Sequence, residues 1–450
     1  MRRKIYDRLL DWKRRSNGTT ALLLEGARRV GKSWIVQEFA KHEYEAFLVI
    51  DFSLANNAVR DIFINDLMDI NTFFRKLFAL YSRTLPVRKS LIVFDEVQLF
   101  PRAREAVKHL VADGRYDYIE TGSLLSIKEN TKDILLPSEE EHIIMHPMDF
   151  EEYLWSLGQN TLMDYIRDCY QRLVPMGEGL HRKAMDAIRE YMVVGGMPQV
   201  IEKYHRSNDL WEADNEKRTI LKLYKDDVAK HAGRYSLKVA GIFDDIPSQL
   251  QCHNKVFHLS SLNKNARMRD YEDAFFWLDD AGIINTCFNA TEPNVGLKLN
   301  RDRTLLKCYM GDTGLLLSLA FDENELAVKE IHKRIMFDNI ELNKGMLLEN
   351  LVAQMLVANG HKLYFFTQKD NDDCKERMEI DFLISKPTIS RRKNISPIEV
   401  KSARQYSTDS LDKFQNKYSQ YTGKAFIVHP KDLQDEGKIV RVPIYMVPLL

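Results

Sequence analysis

A segment near the start of the sequence has the residue types and the spacing that bind phosphate. It matches the pattern GxxxxGK[ST] from Gly26 to Ser33, directly after the apolar run TTALLLE and directly before the helical segment SWIVQEFAKH. In such a loop the glycines let backbone N–H groups curl around the β-phosphate, Lys32 reaches the β- and γ-oxygens, and Ser33 ligates Mg²⁺. A glycine-rich structural turn is the alternative, which the flanking strand and helix disfavour. The residues predicted to bind ATP are Gly26, Ala27, Arg28, Arg29, Val30, Gly31, Lys32, Ser33 and Trp34.

An acidic strand farther along the chain supplies the other half of such a site. The run LIVFDE consists of four apolar residues followed by Asp95 and Glu96, and ligands of parallel sheets bind at the carboxyl ends of the strands. We expect Asp95 to hold Mg²⁺ through water, with Ser33 as a second metal ligand, and Glu96 to orient or deprotonate the attacking water. Alone, a buried strand that ends in acids is usually structural. Paired with the glycine-rich loop, it favours hydrolysis over binding alone.

A polar tripeptide, TGS, follows the strand-like run YDYIE. Ser123 is a candidate sensor of the γ-phosphate and Thr121 is a weaker one. The alternative interpretation is an ordinary turn after a strand. The predicted catalytic residues are Lys32, Glu96 and Ser123.

Near the end of the chain, two strand-like runs carry charges at alternate positions. The period of a strand places Glu379 and Asp381 of EIDFLI on one face, and it does the same for Glu399 and Lys401 of SPIEVKS. This order resembles the PD-(D/E)xK nuclease superfamily, with Glu349 of the preceding helix in the place of the extra carboxylate. The resemblance implies that Asp381 and Glu399 bind Mg²⁺ and that Lys401 positions or activates water. The alternative is that these charges simply face solvent on amphipathic strands.

The elements that must position these residues follow from hydrophobic patterning. Short apolar runs alternate with helical segments from 19 to 145 and predict a parallel α/β sheet. A helical region follows, then short helices with a strand-like IINTCF that fit a winged helix, and then a second α/β unit. The predicted domains are a P-loop ATPase core (1–155), a helical subdomain (156–240), a winged-helix-like segment (241–320) and a nuclease-like α/β domain (321–450).

Several motifs together resemble those of bacterial and archaeal AAA-type ATPases that carry a conserved C-terminal domain of unknown function. They are GARRVGKS, LIVFDEVQ, TGSLLS, HPMDFEEYL, GGMPQVI, LKCYMGDTGLL and GMLLENLV. The resemblance implies a five-stranded core sheet and ATP as the ligand. The family often has Gly-Arg ahead of the HPMDF-like segment, whereas this chain reads LLPSEEEHII. Arg102, Arg104 and Arg115 stay open as sources of an arginine that acts on a neighbouring subunit, which predicts a homo-oligomer in the presence of ATP.

The middle segment contains a small basic group. Lys264, Arg267 and Arg269 precede a predicted helix, at the place where a recognition helix contacts DNA. Nearby carboxylates would repel phosphates: Asp270, Glu272, Asp273, Asp279 and Asp280. A protein–protein module is therefore the alternative, and DNA contact through the middle or C-terminal domain stays open.

Composition excludes several classes of protein. There are 65 basic and 65 acidic residues, so no overall charge draws the chain to nucleic acid or membrane. The five cysteines form no CxxC pair, which argues against structural zinc and disulfides. No apolar run is long enough to span a bilayer, so we expect a cytoplasmic protein. Three classes remain: an ATP-driven motor or switch, an ATP-controlled nuclease, and a nucleotide-binding interaction protein with negligible turnover.

Overall fold

The computed structural model describes residues 1–122, 138–252, 254–294, 296–321, 325–337, 344–368, 377–385, 394–403 and 405–450. The chain forms two compact units. The first comprises residues 1–146 with residues 280–282, and the second comprises 147–279 and 283–450. The sequence-based division into four segments stays a prediction.

The first unit alternates strands and helices. Its elements are α1 (Ile5–Ser16), β1 (Ala21–Gly26), α2 (Lys32–Glu43), β2 (Ala46–Asp51), α3 (Asn57–Asn65), α4 (Ile70–Tyr81), β3 (Ser90–Asp95), α5 (Arg102–Asp113), β4 (Asp117–Gly122) and β5 (Glu140–Met145).

The strands of the first unit form a five-stranded parallel sheet in the order β2-β3-β4-β1-β5. Every residue of β1, β3 and β4 is buried, as expected for strands that are covered on both faces. One face packs on an apolar cluster that includes Phe52, Phe63, Phe73 and Phe94. The predicted parallel α/β core is confirmed, and the five predicted strands all form.

The register of this sheet brings the predicted site residues to one edge. Glu25, the penultimate residue of β1, lies beside Gly122 of β4, and Phe94 of β3 lies beside Glu120. The carboxyl ends of β1, β4 and β3 are therefore level. The glycine-rich loop, Thr121 and Asp95 emerge side by side.

The second unit begins with helices and ends with a sheet. Its helices are α6 (Phe150–Ser156), α7 (Asn160–Arg172), α8 (Glu178–Val194), α9 (Pro198–Ser207), α10 (Leu210–His231), α11 (Ser236–Gln251), α12 (Glu272–Asp280), α13 (Thr313–Ala320), α14 (Glu325–Met336), α15 (Lys344–Ala358) and α16 (Asp409–Lys417). Its strands are β6 (Ile284–Ala290), β7 (Arg301–Met310), β8 (Tyr364–Gln368), β9 (Met378–Ser385), β10 (Ile395–Val400), β11 (Ala425–His429), β12 (Gln434–Asp435) and β13 (Ile439–Pro443).

These strands form one mixed sheet in the order β12-β13-β11-β10-β9-β8-β6-β7. The antiparallel pair β6 and β7 joins the sheet through parallel pairing of β6 with β8. The two strands of the middle segment thus belong to the same sheet as the strands near the end of the chain.

The middle segment differs from the sequence interpretation in one respect. Of the short helices predicted ahead of IINTCF, one α-helix forms, α12, and it is preceded by the short 3-10 turns Leu259–Ser261 and Met268–Asp270. Local hydrogen bonds compete with a first α-helix here: the Asn263 side chain accepts from the N–H of Asn265, at 3.0 Å, and the Ser261 hydroxyl donates to the carbonyl of His258. Lys264, Arg267 and Arg269 are exposed in this stretch.

Among the described residues, no helix combines the length and the apolar character needed to cross a membrane.

Candidate functional site

The glycines of the phosphate-binding loop are required by its backbone. Gly31, which directly precedes α2, has φ +96°, in the left-handed region that favours glycine. A Cβ on Gly26 would lie 2.2 Å from the carbonyl oxygen of Met145 on β5, so any side chain there would force the strands apart. The loop is therefore a fixed cradle in front of the amino end of α2, where N–H groups are free to bind anions.

Arg3 ties this cradle to the rest of the first unit. Its buried guanidinium donates to the carbonyl of Val30 at 2.9 Å and to the carbonyl of His146 at 2.7 Å. Arg3 thus joins the loop to the end of β5. Sequence reasoning missed this residue, because an arginine in a charged amino-terminal segment gives no signal of burial.

Lys32 is buried inside the loop. Its Nζ donates to the carbonyl oxygens of Gly26 and Ala27, both at 3.0 Å. Burial lowers the pKa of this amine to about 8, and the carboxylates of Glu96 and Asp95 oppose that shift. The lysine therefore lies within electrostatic reach of both predicted acids.

Asp95 is the meeting point of two strands, β3 and β4, and of helix α2. Its Oδ1 accepts a hydrogen bond from the Ser33 hydroxyl at 2.9 Å, and the buried Thr121 hydroxyl donates to the same oxygen. A hydroxyl and a carboxylate at this distance fit Mg²⁺, which binds through oxygen atoms, water and substrate phosphates. The two predicted metal ligands are thus together, and Thr121 holds Asp95 in place. Ser123 lies outside the described residues.

Glu96 leaves β3 in an unusual backbone conformation. Its φ of +54° lies in the left-handed region, which is uncommon for a residue other than glycine and is a mark of functional sites. The Glu96 carboxylate accepts a hydrogen bond from the side-chain amide of Gln98. Gln98 orients the predicted base, and it was not singled out from the sequence.

The outer residues of the loop face solvent. Arg28 and Arg29 are exposed, and Trp34 at the start of α2 is 48% exposed. Their predicted contacts with ATP stay predictions.

The structure corrects one candidate for the arginine that acts on a neighbouring subunit. Arg104 is buried, with its Nη2 2.6 Å from a carboxylate oxygen of Glu140 and its Nε 3.3 Å from one of Glu120. It cannot reach a neighbour, because leaving would strand two buried carboxylates. Arg115 pairs with Asp113 and stacks on Phe74. Arg102, at the start of α5, is exposed.

A second group of charged residues lies in the second unit. Strands β9 and β10 are antiparallel, with Phe382 opposite Ile398 as the last pair, and Asp381 and Glu399 are the residues next to that pair. The N–H of Val400 donates to Asp381 Oδ2 at 2.8 Å. Lys401 lies 2.7 Å from Glu399 Oε2.

Two lysines absent from the sequence prediction complete this group. Lys307 of β7 is buried, with its Nζ 3.5 Å from a Glu379 oxygen and 3.7 Å from Asp381 Oδ1. Lys255 pairs with Oε1 of Glu349 on α15, whose Oε2 accepts a hydrogen bond from the Tyr309 hydroxyl at 3.2 Å. We call Lys255, Lys307, Glu349, Glu379, Asp381, Glu399 and Lys401 the C-terminal charge cluster.

The pKa values of this cluster reflect its burial. Burial and the nearby Asp381 raise the pKa of Glu349, against the pull of Lys307 and Lys255. Burial raises the pKa of Glu399 to about 7, opposed by Lys401. Burial alone would lower the pKa of Lys307, but the carboxylates of Glu349, Asp381 and Glu379 outweigh it and raise that pKa. The ammonium of Lys307 therefore stays charged inside the fold.

The cluster does not fit a divalent cation as it stands. Lysines pair with its carboxylates, and within the described part of the chain no three His, Cys, Asp or Glu side chains are placed to hold a metal ion. The nuclease-like roles of Glu349, Asp381, Glu399 and Lys401 stay predictions. The burial of Lys307 could have been inferred from the sequence, because this lysine stands inside the apolar run LLKCYM.

The parallel sheet, the cradle before α2 and the paired Ser33 and Asp95 define a P-loop nucleotide-binding fold. Comparison with family models agrees. Residues 18–154 match an AAA domain, residues 185–326 match a domain of unknown function (DUF8612), and residues 344–447 match another domain of unknown function (DUF4143). The first unit therefore carries an AAA-type ATPase domain, which implies nucleotide binding.

Two solved structures show weaker similarity. A Walker-type ATPase of Pyrococcus abyssi has 14% identity and a TM-score of 0.41, with 71% of this chain and 96% of that chain covered. A chain from the structure of Drosophila ORC bound to DNA has 12% identity and a TM-score of 0.26, with 75% of this chain and 96% of that chain covered. No curated protein matches the chain.

Proposed function

We propose that the chain hydrolyses ATP in a Mg²⁺-dependent reaction and uses the cycle as a motor or switch. The observation that carries the proposal is the convergence on Asp95: the Ser33 and Thr121 hydroxyls both donate to it. Lys32 lies close enough to Asp95 and Glu96 for both carboxylates to influence its pKa. Groups that can donate hydrogen bonds to phosphate, a candidate metal ligand and a candidate base thus lie at one edge of the sheet.

Each residue has a distinct task in this reaction. Lys32 exchanges its two carbonyl partners for the β- and γ-phosphate oxygens of ATP, while the N–H groups at the start of α2 bind the β-phosphate. Ser33 and Asp95 would hold Mg²⁺, and the ion would offset negative charge on those oxygens. Glu96, oriented by Gln98, directs water at the γ-phosphorus and accepts its proton. The bond to the bridging oxygen breaks, and ADP and phosphate are released.

Two substitutions separate binding from turnover. Lys32→Ala should abolish ATP binding, because the loop loses its phosphate-pairing charge. Glu96→Gln should keep binding and stop hydrolysis, because only the water-directing carboxylate is lost. Lys41→Ala, at the far end of the same helix in an exposed pair with Glu38, is the matched control. Nucleotide affinity and phosphate release are the measurements.

The same measurements distinguish an ATPase from a nucleotide-binding interaction protein with negligible turnover. A wild-type chain that binds ATP but releases no phosphate above the Lys32→Ala background would be a nucleotide-binding interaction protein. Hydrolysis by Glu96→Gln at the wild-type rate would show that Glu96 is not the base.

DNA is the proposed nucleic-acid partner, supported only by the exposed basic group of the middle segment. If Lys264, Arg267 and Arg269 contact phosphates, the triple alanine variant should bind DNA more weakly and with a smaller dependence on salt. The ATPase rate with and without DNA then tests whether nucleic acid drives the cycle.

The nuclease alternative is the weaker one, because lysines already pair with the carboxylates that it would need for a metal. Nicking of a plasmid with Mg²⁺ or Mn²⁺, by the wild type but not by Lys401→Ala, would restore it.

A further inference from the structure

Lys307 occupies the interior of the C-terminal charge cluster. Its side chain is 1% exposed. Its ammonium group lies 5.1 Å from the centre of the Phe365 ring on β8 and also faces the carboxylates of Glu379 and Asp381 on β9. An ammonium group there replaces its lost hydration with two carboxylates and an aromatic face. The backbone of Lys307 is equally fixed, since it pairs with Cys287 of β6 and forms an isolated bridge with Val256.

We propose that Lys307 takes the place of a divalent cation, so that the cluster is a permanent, metal-free ion network. The proposal concerns the second unit alone and does not depend on ATP hydrolysis by the first. It assigns Lys307 as the internal counter-ion of a nuclease-like arrangement.

The oxygens of Asp381 and Glu349, two of the acids that a metal would need, are already engaged. Asp381 Oδ1 faces Lys307 and Oδ2 accepts from the N–H of Val400. Glu349 Oε1 pairs with Lys255 and Oε2 accepts from Tyr309. A Mg²⁺ or Mn²⁺ ion needs oxygens at about 2.1 Å in near-octahedral geometry. To reach these oxygens it would have to expel a buried ammonium group or sit against it.

The charge balance points the same way. The cluster contains four carboxylates and three lysines, so the lysines already offset most of the negative charge. A divalent cation in addition would bring like charges within a few ångströms in a poorly hydrated interior, where their repulsion is strong. Removal of one lysine reverses this preference.

The test is Mn²⁺ binding to the nucleotide-free full-length chain, counted by electron paramagnetic resonance. Wild type and Asp381→Asn should bind the same amount of Mn²⁺, because the cluster contributes no site. Lys307→Met keeps most of the length of the side chain and removes the charge, so it should gain one site at least tenfold tighter than any present in the wild type. The double variant Lys307→Met/Asp381→Asn should lose that site. Lys413→Met, an exposed lysine on α16, is the matched control and should gain none.

Two results would overturn the proposal. One is a Mn²⁺ site in the wild type that disappears in Asp381→Asn. The other is a folded Lys307→Met variant, verified by circular dichroism, that gains no Asp381-dependent site. If Lys307→Met does not fold, the wild-type and Asp381→Asn comparison still decides. ATPase activity is measured in parallel, so that a failure of the ATPase assignment stays separate from this outcome.

Discussion

Lys32 shows how a residue can be prepared for a ligand by its own loop. Its ammonium is held by two carbonyl oxygens of the segment that carries it, in a space that excludes water. Burial lowers its pKa to about 8. In mildly alkaline solution the Lys32 amine is therefore protonated in only part of the chains. Bound ATP should raise that fraction, because nearby negative charge favours the protonated amine.

The first prediction follows from this shift. At pH 8.5, above the pKa of about 8, a substantial share of free chains has a neutral Lys32, and ATP binding should take up part of a proton. At pH 7 the amine is almost fully charged and the uptake should be much smaller. Calorimetric titrations in buffers with different ionisation enthalpies measure the number of protons.

Lys32→Arg is the control, because a guanidinium stays charged at both pH values. Its binding should show no uptake at pH 8.5. Equal proton uptake by the wild type and Lys32→Arg would show that another group titrates.

At the residue level, the local motif predicted the contact between Ser33 and Asp95. Ser33 follows directly on the loop, and Asp95 ends a buried run, so their meeting was visible in the sequence. Arg3 and Gln98 were not, because their roles depend on contacts across the fold that no spacing encodes.

At the level of elements, buried ion pairs connect a helix of the first unit to the first sheet. Arg104 of α5 reaches Glu120 on β4 and Glu140 on β5, and thereby links a helix to two strands. Burial and the neighbouring Glu140 raise the pKa of Glu120 well above its ordinary range, despite the opposing charge of Arg104. The arginine thus neutralises a pair of acids that could not both stay charged in its absence.

The second prediction concerns this link. Arg104→Met should lower the free energy of unfolding at pH 7.5 by about 3–5 kcal/mol, because it leaves buried carboxylates without a counter-charge. Since the folded state favours protonated Glu120, the stability that protonation gives is present at low pH and is lost as pH rises. The variant should therefore be closer to wild type at pH 5 than at pH 7.5. Urea unfolding at both pH values measures this.

Two further variants make the test specific. Arg104→Met/Glu120→Gln/Glu140→Gln should recover much of the loss, because amides need no counter-charge. Arg102→Met, on the exposed side of the same helix, should change stability by less than about 0.5 kcal/mol. A loss in Arg104→Met that does not depend on pH would refute the electrostatic origin.

The central strands β1 and β3 of the first sheet could be predicted because they are fully buried and contain continuous apolar runs. The stretch before α12 could not, because its apolar spacing suits a helix while its Ser and Asn side chains bond to nearby backbone.

At the scale of the whole molecule, the sequence does not predict which strands pair when they are far apart along the chain. The strand-like run IINTCF was predicted to belong to a winged-helix-like segment (241–320), yet it forms β6, which together with β7 extends the sheet of the last hundred residues. Alternation marks a strand but does not reveal its partner. Lys307 consequently joined a cluster whose acids lie between 42 and 92 residues downstream.

A further positive charge, supplied by an arginine, would complete the ATP site. Sites of this kind commonly receive an arginine from a neighbouring subunit. Of the three candidates in the sequence, Arg104 is buried in ion pairs and Arg115 is paired with Asp113 and stacked on Phe74. Arg102 is exposed at the start of α5, seven residues beyond Asp95. We therefore expect an ATP-dependent oligomer in which Arg102 acts on the neighbour.

The third prediction is that Arg102→Ala keeps ATP affinity within about twofold of wild type but lowers the hydrolysis rate by about 10³. Mixing decides whether the arginine acts in trans. Arg102→Ala has an intact Glu96, and Glu96→Gln has an intact Arg102, so an interface between one copy of each contains a complete site. The mixture should hydrolyse ATP although each variant alone is inactive, and light scattering should show a larger particle with ATP than without it. A fully active particle that stays monomeric would contradict the oligomer, and an inactive mixture of variants that do associate would refute the role of Arg102.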